Sequence, residues 1–381
     1  MSTITMGENE REDIPSRKRD RRAPVVMPPA NRHWRLVFGL LLLTLIGMAL
    51  LNVWMGSAET MAVVRPGLVL QVIGRHIPFV GAHVAPLPES LPYLDSIVWG
   101  ERVPRALGGV LIGMLLAMAG VAFQSLLMNP LADPYIVGVS AGSALGSVIV
   151  ILMGGAGLLA GFAQPLGAFA AGLLTMTLVY TLARQHGRLS AQTFLLAGIV
   201  IGTFFWSLTQ LCVALAVRDR DPGMAGRILS QLLGSLQGVG WREVGLLLPF
   251  ALVGGMGLFA SWRELDMMAV SEESAAHQGV DTEAFKRRVI VAGSLVTAAA
   301  VSVAGIVAFV GLVVPHIARR LVGPRHNILL PAAMLLGGLM LEMSDWLSRV
   351  FLNALEIGVV TSLIGAPVFC YLLRRRMSAR W

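Results

Sequence analysis

Ionisable side chains are scarce in the apolar stretches of this 381-residue chain, so the few that occur there are where chemistry could be done. Glu342, Asp345 and Arg349 stand three and four residues apart, a spacing that puts all three on one face of a helix. Charges inside a membrane bind ions, relay protons or pair with one another. Asp345 and Arg349 have i,i+4 spacing near the end of their run, as a superficial ion pair would. Glu342 is the one carboxyl that could hold the driving ion of a secondary transporter. Arg349 shares its end of the bundle with Arg102 and Arg105, and three arginines on one outer rim would suit an acidic partner docking there. The chain has no Walker A sequence, no nucleophile paired with a base and no Cys/His set at metal-ligand spacing. It is therefore expected to be no enzyme, to carry no cofactor and to take any ATP-derived work from another subunit. His316, directly after Pro315, reads as a structural hydrogen-bonding residue, and His76, His83, His277 and His326 show no ligand spacing.

A second set of polar residues lies between two apolar runs. Ser271 precedes Glu272, Glu273, Ser274, Ala275, Ala276, His277 and Gln278, with Gly279 following. A serine cap, acids in the first turn and a glycine stop describe a helix of about two turns. With Arg263 and Glu264 before it and a second short helix expected over 282–288, the segment 263–288 forms a rigid knob. A solvated connector would not need caps at both ends.

The elements that position these residues are membrane spans. The chain is 55% hydrophobic and only 14% charged, against about 25% charged in a soluble domain. The net charge of +8 could suggest nucleic acid, but its distribution follows membrane topology instead. Residues 1–33, polar and centred on Arg17-Lys18-Arg19-Asp20-Arg21-Arg22, read as a disordered cytoplasmic tail that halts translocation or touches anionic lipid. Ten spans are expected: 35–56, 103–127, 135–153, 163–183, 193–217, 243–262, 289–305, 306–322, 329–350 and 358–374. The stretch Val289 to Val314 could instead be one long helix, giving nine spans. That alternative would place Arg319, Arg320, Arg325 and Arg374-Arg375-Arg376 outside, against the positive-inside tendency, so ten spans with both termini in the cytoplasm are expected. The long outer segment is 57–101, and 377–381 is a short inner tail. Cys212 and Cys370 fall in apolar runs and read as small buried hydrophobes.

Small residues recur where helices must approach closely: Gly109, Gly113 and Gly120 in the second span, and Gly138, Gly142 and Gly146 in the third. The methionines, Met114, Met118 and Met334 among them, could be core filler or the lining of an adaptable path. Ala119-Gly120 is followed by Pro130, and Ala304-Gly305 by Pro315 at the same interval, a hint of an internal repeat with chance as its rival.

Several motifs together carry a family resemblance from Leu36 to Arg376. They are Arg102-Val103-Pro104-Arg105; Gln124 with Asn129-Pro130-Leu131-Ala132-Asp133-Pro134; Leu196-Ala197-Gly198; Gly234-Ser235-Leu236 with Trp241; Glu272 to Ala275 ending at Gly279-Val280; Gly311 to His316; and Gly358 to Thr361 with Gly365-Ala366-Pro367. On these the chain resembles the FecCD-type permease subunits of ABC importers, which move iron–siderophore complexes, haem and vitamin B12 into bacteria. Three departures stand out. Gln231 occupies a place where the family usually has tryptophan, the turn before the last span is shortened to Glu356-Ile357-Gly358, and the outer loop and N-terminal tail are long.

The resemblance implies an all-α, polytopic type II importer permease in the bacterial inner membrane. It would work with a second permease (the same chain or a paralogue), two cytoplasmic ATPases and an external binding protein. The cargo would be an iron chelate, with haem or cobalamin as alternatives. It also maps roles onto residues. Arg263, Glu264, Ser271, Glu272, Glu273, Ser274, His277 and Gly279 would couple to the ATPase. Arg102, Arg105 and Arg349 would meet the binding protein, and Ser190, Ala191 and Gln192 would form a gate at the start of the fifth span.

Overall fold

The computed structural model describes residues 33–56, 65–79, 81–87, 91, 93–135, 137–154, 161–185, 187–218 and 222–378. The basic tail, much of the outer loop and the last three residues lie outside the described residues. Helices follow one another in the order α1 (Trp34–Trp54), α2 (Pro66–His76), α3 (Val103–Leu126), α4 (Val139–Leu152), α5 (Ala163–Ala183), α6 (Ala191–Arg218), α7 (Pro222–Leu233) and α8 (Trp241–Ala260). After these come α9 (Trp262–Met268), α10 (Glu272–His277), α11 (Thr282–Ala304), α12 (Val310–Val322), α13 (His326–Phe351) and α14 (Ile357–Ser378). A π-helical turn, Ser96–Arg102, runs directly into α3. A two-residue hairpin pairs strand β1 (Arg184–Gln185) with β2 (Arg188–Leu189) between α5 and α6.

Each expected span has its helix, and the division at 305–309 is real. Gly305 ends α11 at φ 69°, Phe309 starts α12 at φ 67°, and Val289 to Val314 is not one helix. The short helix expected over 282–288 is instead the first two turns of α11. Asp281 caps it by accepting from Ala284 N at 3.0 Å, and nothing breaks the helix before Gly305. The connector before the sixth span also holds a helix the sequence reading left out, the amphipathic α7.

Helices α4 and α12, at 14 and 13 residues, are each only about 20 Å long, short of the ~30 Å hydrocarbon core. The flanking backbone must finish those crossings, and it is enclosed by protein: Ala132, Asp133, Val137 and Val307 are buried. Irregular backbone at that depth survives only where internal partners replace water. Val307 N donates to the Tyr135 hydroxyl at 2.7 Å. Pro315 cannot donate to the carbonyl of Gly311; Gln124 Nε2 reaches that oxygen at 3.3 Å and the Leu312 oxygen at 3.1 Å.

Helix α3 is the axis, buried almost throughout from Ile112 to Leu126, with α8, α11, α12 and α13 around it. The small residues explain the close approach. A Cβ at Gly113 would lie 2.7 Å from the Gly337 carbonyl carbon of α13, and one at Gly120 would lie 2.7 Å from Gly311 Cα of α12. At Gly109 it would meet Glu342 Oε1 at 2.5 Å. Gly142 and Gly146 serve the α4–α5 contact, where a Cβ would fall 2.7 Å from Thr175 Cβ and 2.5 Å from Ala171 Cβ. Gly138 caps α4 at φ 88° and lies against Gly198 of α6. The two Ala-Gly dipeptides of the suspected repeat are not equivalent: Gly120 is in mid-helix, whereas Gly305 ends one. Cys212 is only partly buried and Cys370 is exposed, because α6 and α14 turn apolar faces outward.

Substituting Gly113→Ala should destabilise the purified permease by about 1–3 kcal/mol, as overpacking does, because backbone opposes the new methyl. Gly47→Ala, with open space around it, should change stability by less than about 0.5 kcal/mol. Equal thermal midpoints for the two variants in one detergent would contradict this packing.

Candidate functional site

The polar residues gather at the two ends of the bundle. At one end, the last turn of α1 exposes carbonyl oxygens with no partner within the helix. Arg102 Nη1 donates to Trp54 O at 2.9 Å and Val53 O at 3.3 Å. Arg349 Nη1 reaches Met55 O at 3.0 Å, and its Nη2 meets the Asn52 side-chain oxygen at 2.6 Å. Cations there also suit the negative end of the helix dipole. Asp345 sits between Arg349 (Nε to Oδ2, 2.9 Å) and Arg105 (Nη2 to Oδ1, 2.7 Å). Asn52 Nδ2 donates to Glu342 Oε2 at 2.5 Å and to Glu342 O at 2.8 Å, closing a network that ties α1, α3 and α13 together.

This geometry corrects the expected rim. The Asp345–Arg349 pair forms at the expected i,i+4 spacing, but it is interior: Asp345 is 2% and Arg349 8% exposed. Arg102 is buried at 7% exposure, and only Arg105 retains modest access. The arginines face inward because the carbonyls ending α1 and the Asp345 carboxylate are the nearest acceptors in a water-poor setting. Asn52 is the residue that sequence reasoning missed. A single buried amide in an otherwise apolar run was its only signal. Next to the network, His76 stacks on Trp99 at 4.1 Å between ring centres, Trp99 leans on Trp241 at 4.8 Å, and Trp241 Nε1 donates to Trp99 O at 2.7 Å.

The other polar end holds the knob. Ser271 Oγ accepts from Ser274 N at 3.0 Å, Gly279 takes φ 86°, and Val280 N returns to Ala275 O at 3.1 Å, so α10 is closed at both ends. Leu265 and Met268 of α9 and Ala275 of α10 are fully buried and seat the unit. The eight expected coupling residues divide by exposure. Arg263, Glu273, His277 and Gly279 face outward. Ser271 and Ser274 bond each other at 2.8 Å, Glu264 reaches Arg288 at 3.3 Å, and Glu272 reaches Lys286 at 2.6 Å. Asp266 accepts from His326 N at 2.8 Å and contacts its Nδ1 at 2.6 Å, while His326 Nε2 contacts Ser125 Oγ at 2.6 Å. Of the expected gate residues, Ser190 and Gln192 are exposed at the start of α6, with Ala191 between them. Among the methionines, Met114, Met118 and Met334 line an apolar groove of about 470 Å³ between α3, α8 and α13.

A third convergence lies around the Gly-Ser-Leu motif. Ser235 N donates to Ala304 O at 2.8 Å, Ile306 N to Gln231 O at 3.3 Å and Gly358 N to Gly234 O at 3.3 Å. A Cβ at Gly358 would strike the Leu233 and Ile306 carbonyls. Gln231 uses its amide here, donating to Val301 O at 3.3 Å and accepting from Gln164 at 3.2 Å. Gly234, Gly305 and Gly358 are thus one knot joining α7, α11 and α14.

A multi-pass helical bundle with a buried polar network at one end and a capped knob at the other has the build of a transport permease. The chain belongs to the FecCD transport family, whose profile matches residues 39–375, and it is a permease of the ABC importer class. It is 41% identical over 289 residues to an uncharacterized ABC transporter permease protein, YvrB, of Bacillus subtilis, covering 75% of this chain and 80% of that one. It is 39% identical to the cobalamin import system permease protein BtuC of Halobacterium salinarum, covering 77% and 78%. To the hemin transport system permease protein HmuU of Yersinia pestis it is 35% identical, covering 73% and 83%. A solved structure described as an inward-facing, metal-chelate type ABC transporter superimposes with a TM-score of 0.73 at 26% identity, over 90% of this chain and 99% of that one. The ion-coupled reading of Glu342 falls with this class.

The network at the end of α1 makes a prediction of its own. Asp345→Asn leaves the buried Arg349 and the partly buried Arg105 short of a countercharge, which should cost about 3–5 kcal/mol. The loss should appear in thermal unfolding of the permease with no binding protein present. A midpoint equal to that of the parent would return the arginines to a docking role.

Proposed function

We propose that this chain is the membrane-spanning subunit of an ATP-driven importer that carries a metal chelate inward by alternating access. Ferric siderophore is the first cargo to test, with haem and cobalamin as the alternatives. The observation that carries this reading is the doubly capped helix α10 on its buried apolar base, presenting Glu273, His277 and Gln278 outward. Such a unit transmits force from a partner, whereas a slack loop would absorb it. One of two cytoplasmic ATPases docks on it, a second permease takes the other and completes the pathway, and an external binding protein delivers the ligand at the opposite end. Arg102 and Arg349 serve that outer surface by holding the end of α1 in place, and Arg105 by holding Asp345 beside them. The outward face of α6, with Leu196, Ile199, Val200 and Phe204 exposed, is assigned to the path and the second permease. The gate is Ser190, Ala191 and Gln192 at its start. A path this poor in polar groups fits a large ligand whose specificity resides in the binding protein. The names of relatives that import cobalamin and hemin, and of a metal-chelate neighbour, support this cargo class.

Uptake of labelled ferric siderophore, haem and cobalamin in a deletion strain identifies the cargo: one of the three should be restored by the parent chain. His277→Cys should cross-link to a cysteine on the ATPase in the assembled transporter. An active transporter in which no position on α10 can be cross-linked to the ATPase would overturn the docking assignment. Restoration of none of the three cargoes would overturn the metal-chelate assignment.

A further inference from the structure

The chain has two lysines, Lys18 in the tail and Lys286, and otherwise uses arginine for its positive charges. Lys286 lies in the first turns of α11 and is 5% exposed. Its ammonium has three donors, and three acceptors from three separate segments surround it: Glu272 Oε1 of α10 at 2.6 Å, Glu283 Oε1 of its own helix at 3.0 Å, and the backbone oxygen of Leu189 at 2.9 Å. Glu283 closes the circuit, since its Oε2 accepts from Leu189 N at 3.1 Å. Both peptide groups of Leu189 are therefore held by the pair Lys286 and Glu283. Leu189 is the last residue of the β1–β2 hairpin and directly precedes Ser190, whose carbonyl accepts from Phe194 N at 2.9 Å in the first turn of α6. Phe194 is fully buried, so that first turn is anchored on the core while Gln192 stays exposed.

From these contacts we propose that Lys286 is a positioning residue that transmits displacement of α10 to the gate at Ser190–Gln192. The proposal rests on the importer reading above. A compact tetrahedral cation suits the task, because its three donors diverge in three dimensions toward the acceptors, whereas the donors of arginine lie in one plane. The link is short and stiff. It runs from the Glu272 carboxylate to the Lys286 ammonium, then to the Leu189 peptide and into the start of α6, with no flexible stretch between. Both carboxylates are only partly exposed, so solvent does not dissolve the pairs as it would on an open surface. A chain of contacts becomes a coupling path only when severing it uncouples the two ends, and that defines the test.

The assembled transporter in lipid, carrying Cys212→Ser and Cys370→Ser with Gln192→Cys as reporter, is labelled with a maleimide with and without a non-hydrolysable ATP analogue. The parent should change its labelling rate on nucleotide binding by about 5-fold or more, the lower end of ordinary allosteric coupling. With Lys286→Gln the ATPase subunits should still co-purify and hydrolyse ATP, while the nucleotide-dependent change at Gln192→Cys shrinks to less than about 2-fold, below that range. A merely structural lysine would alter yield or stability but leave the change in the surviving complexes at its parental size, and that result overturns the proposal. Should Lys286→Gln fail to assemble, Glu283→Gln decides. It leaves an acceptor for Leu189 N and removes one countercharge, so an intermediate response supports the relay and a parental one overturns it. A parent with no nucleotide-dependent change would overturn the assignment of the gate to Ser190–Gln192, and with it the relay. A parental change that survives loss of Lys286 overturns the relay alone.

Discussion

A backbone carbonyl in hydrocarbon has no water to turn to, and each one left unpaired costs several kcal/mol. Much of the structure answers that constraint. Where α1 ends, Arg102 and Arg349 supply the missing donors. Where Pro315 withdraws an N–H, Gln124 supplies one from α3. Where the chain breaks between α11 and α12, the Tyr135 hydroxyl receives Val307 N and the Gln231 carbonyl receives Ile306 N. These side chains come from distant parts of the sequence, so satisfying the backbone at one break fixes which helices lie beside it. Close glycine contacts then set the distances, as between Gly113 and Gly337.

The same economy organises charge. At the end of α1 two carboxylates and three arginines join α1, α3 and α13 in a buried network. At the knob end, the ion pairs of Lys286 with Glu272 and of Arg288 with Glu264 cross between short helices and a long one, and Glu283 braces Lys286 from within that long helix. His326 bridges Asp266 of α9 and Ser125 at the end of α3. One end is thus built to hold its shape, whereas the other connects an exposed helix to the ends of three membrane helices.

Most of the fold was legible from the chain because spans, caps and glycine spacing are local signals. The Ser271 cap and the Gly279 stop were read correctly as the ends of a helix, since each acts within four residues. The extent of α11 was misread. Lys286, Arg287 and Arg288 look like a boundary, but Lys286 is drawn inside by Glu272 and Glu283, so the helix continues through the charges. The roles of Arg102 and Arg349 were not legible either. Counting charges assigns them to a side of the membrane but does not reveal that helix-end carbonyls stand within reach.

What the sequence by itself determined is the class of structure: a multi-pass helical bundle with a capped polar helix between two spans. Those follow from hydrophobicity, handedness and hydrogen bonding over a few residues, and local chemistry suffices for them. Only the tertiary structure decided which polar side chains are spent inside the protein and which remain for partners. Asn52 lies 290 residues from Glu342, Arg105 lies 240 from Asp345, and Lys286 meets Leu189 across 97. Those pairings depend on how the helices pack around α3, and no local pattern in the chain encodes which distant acceptor a buried cation will find.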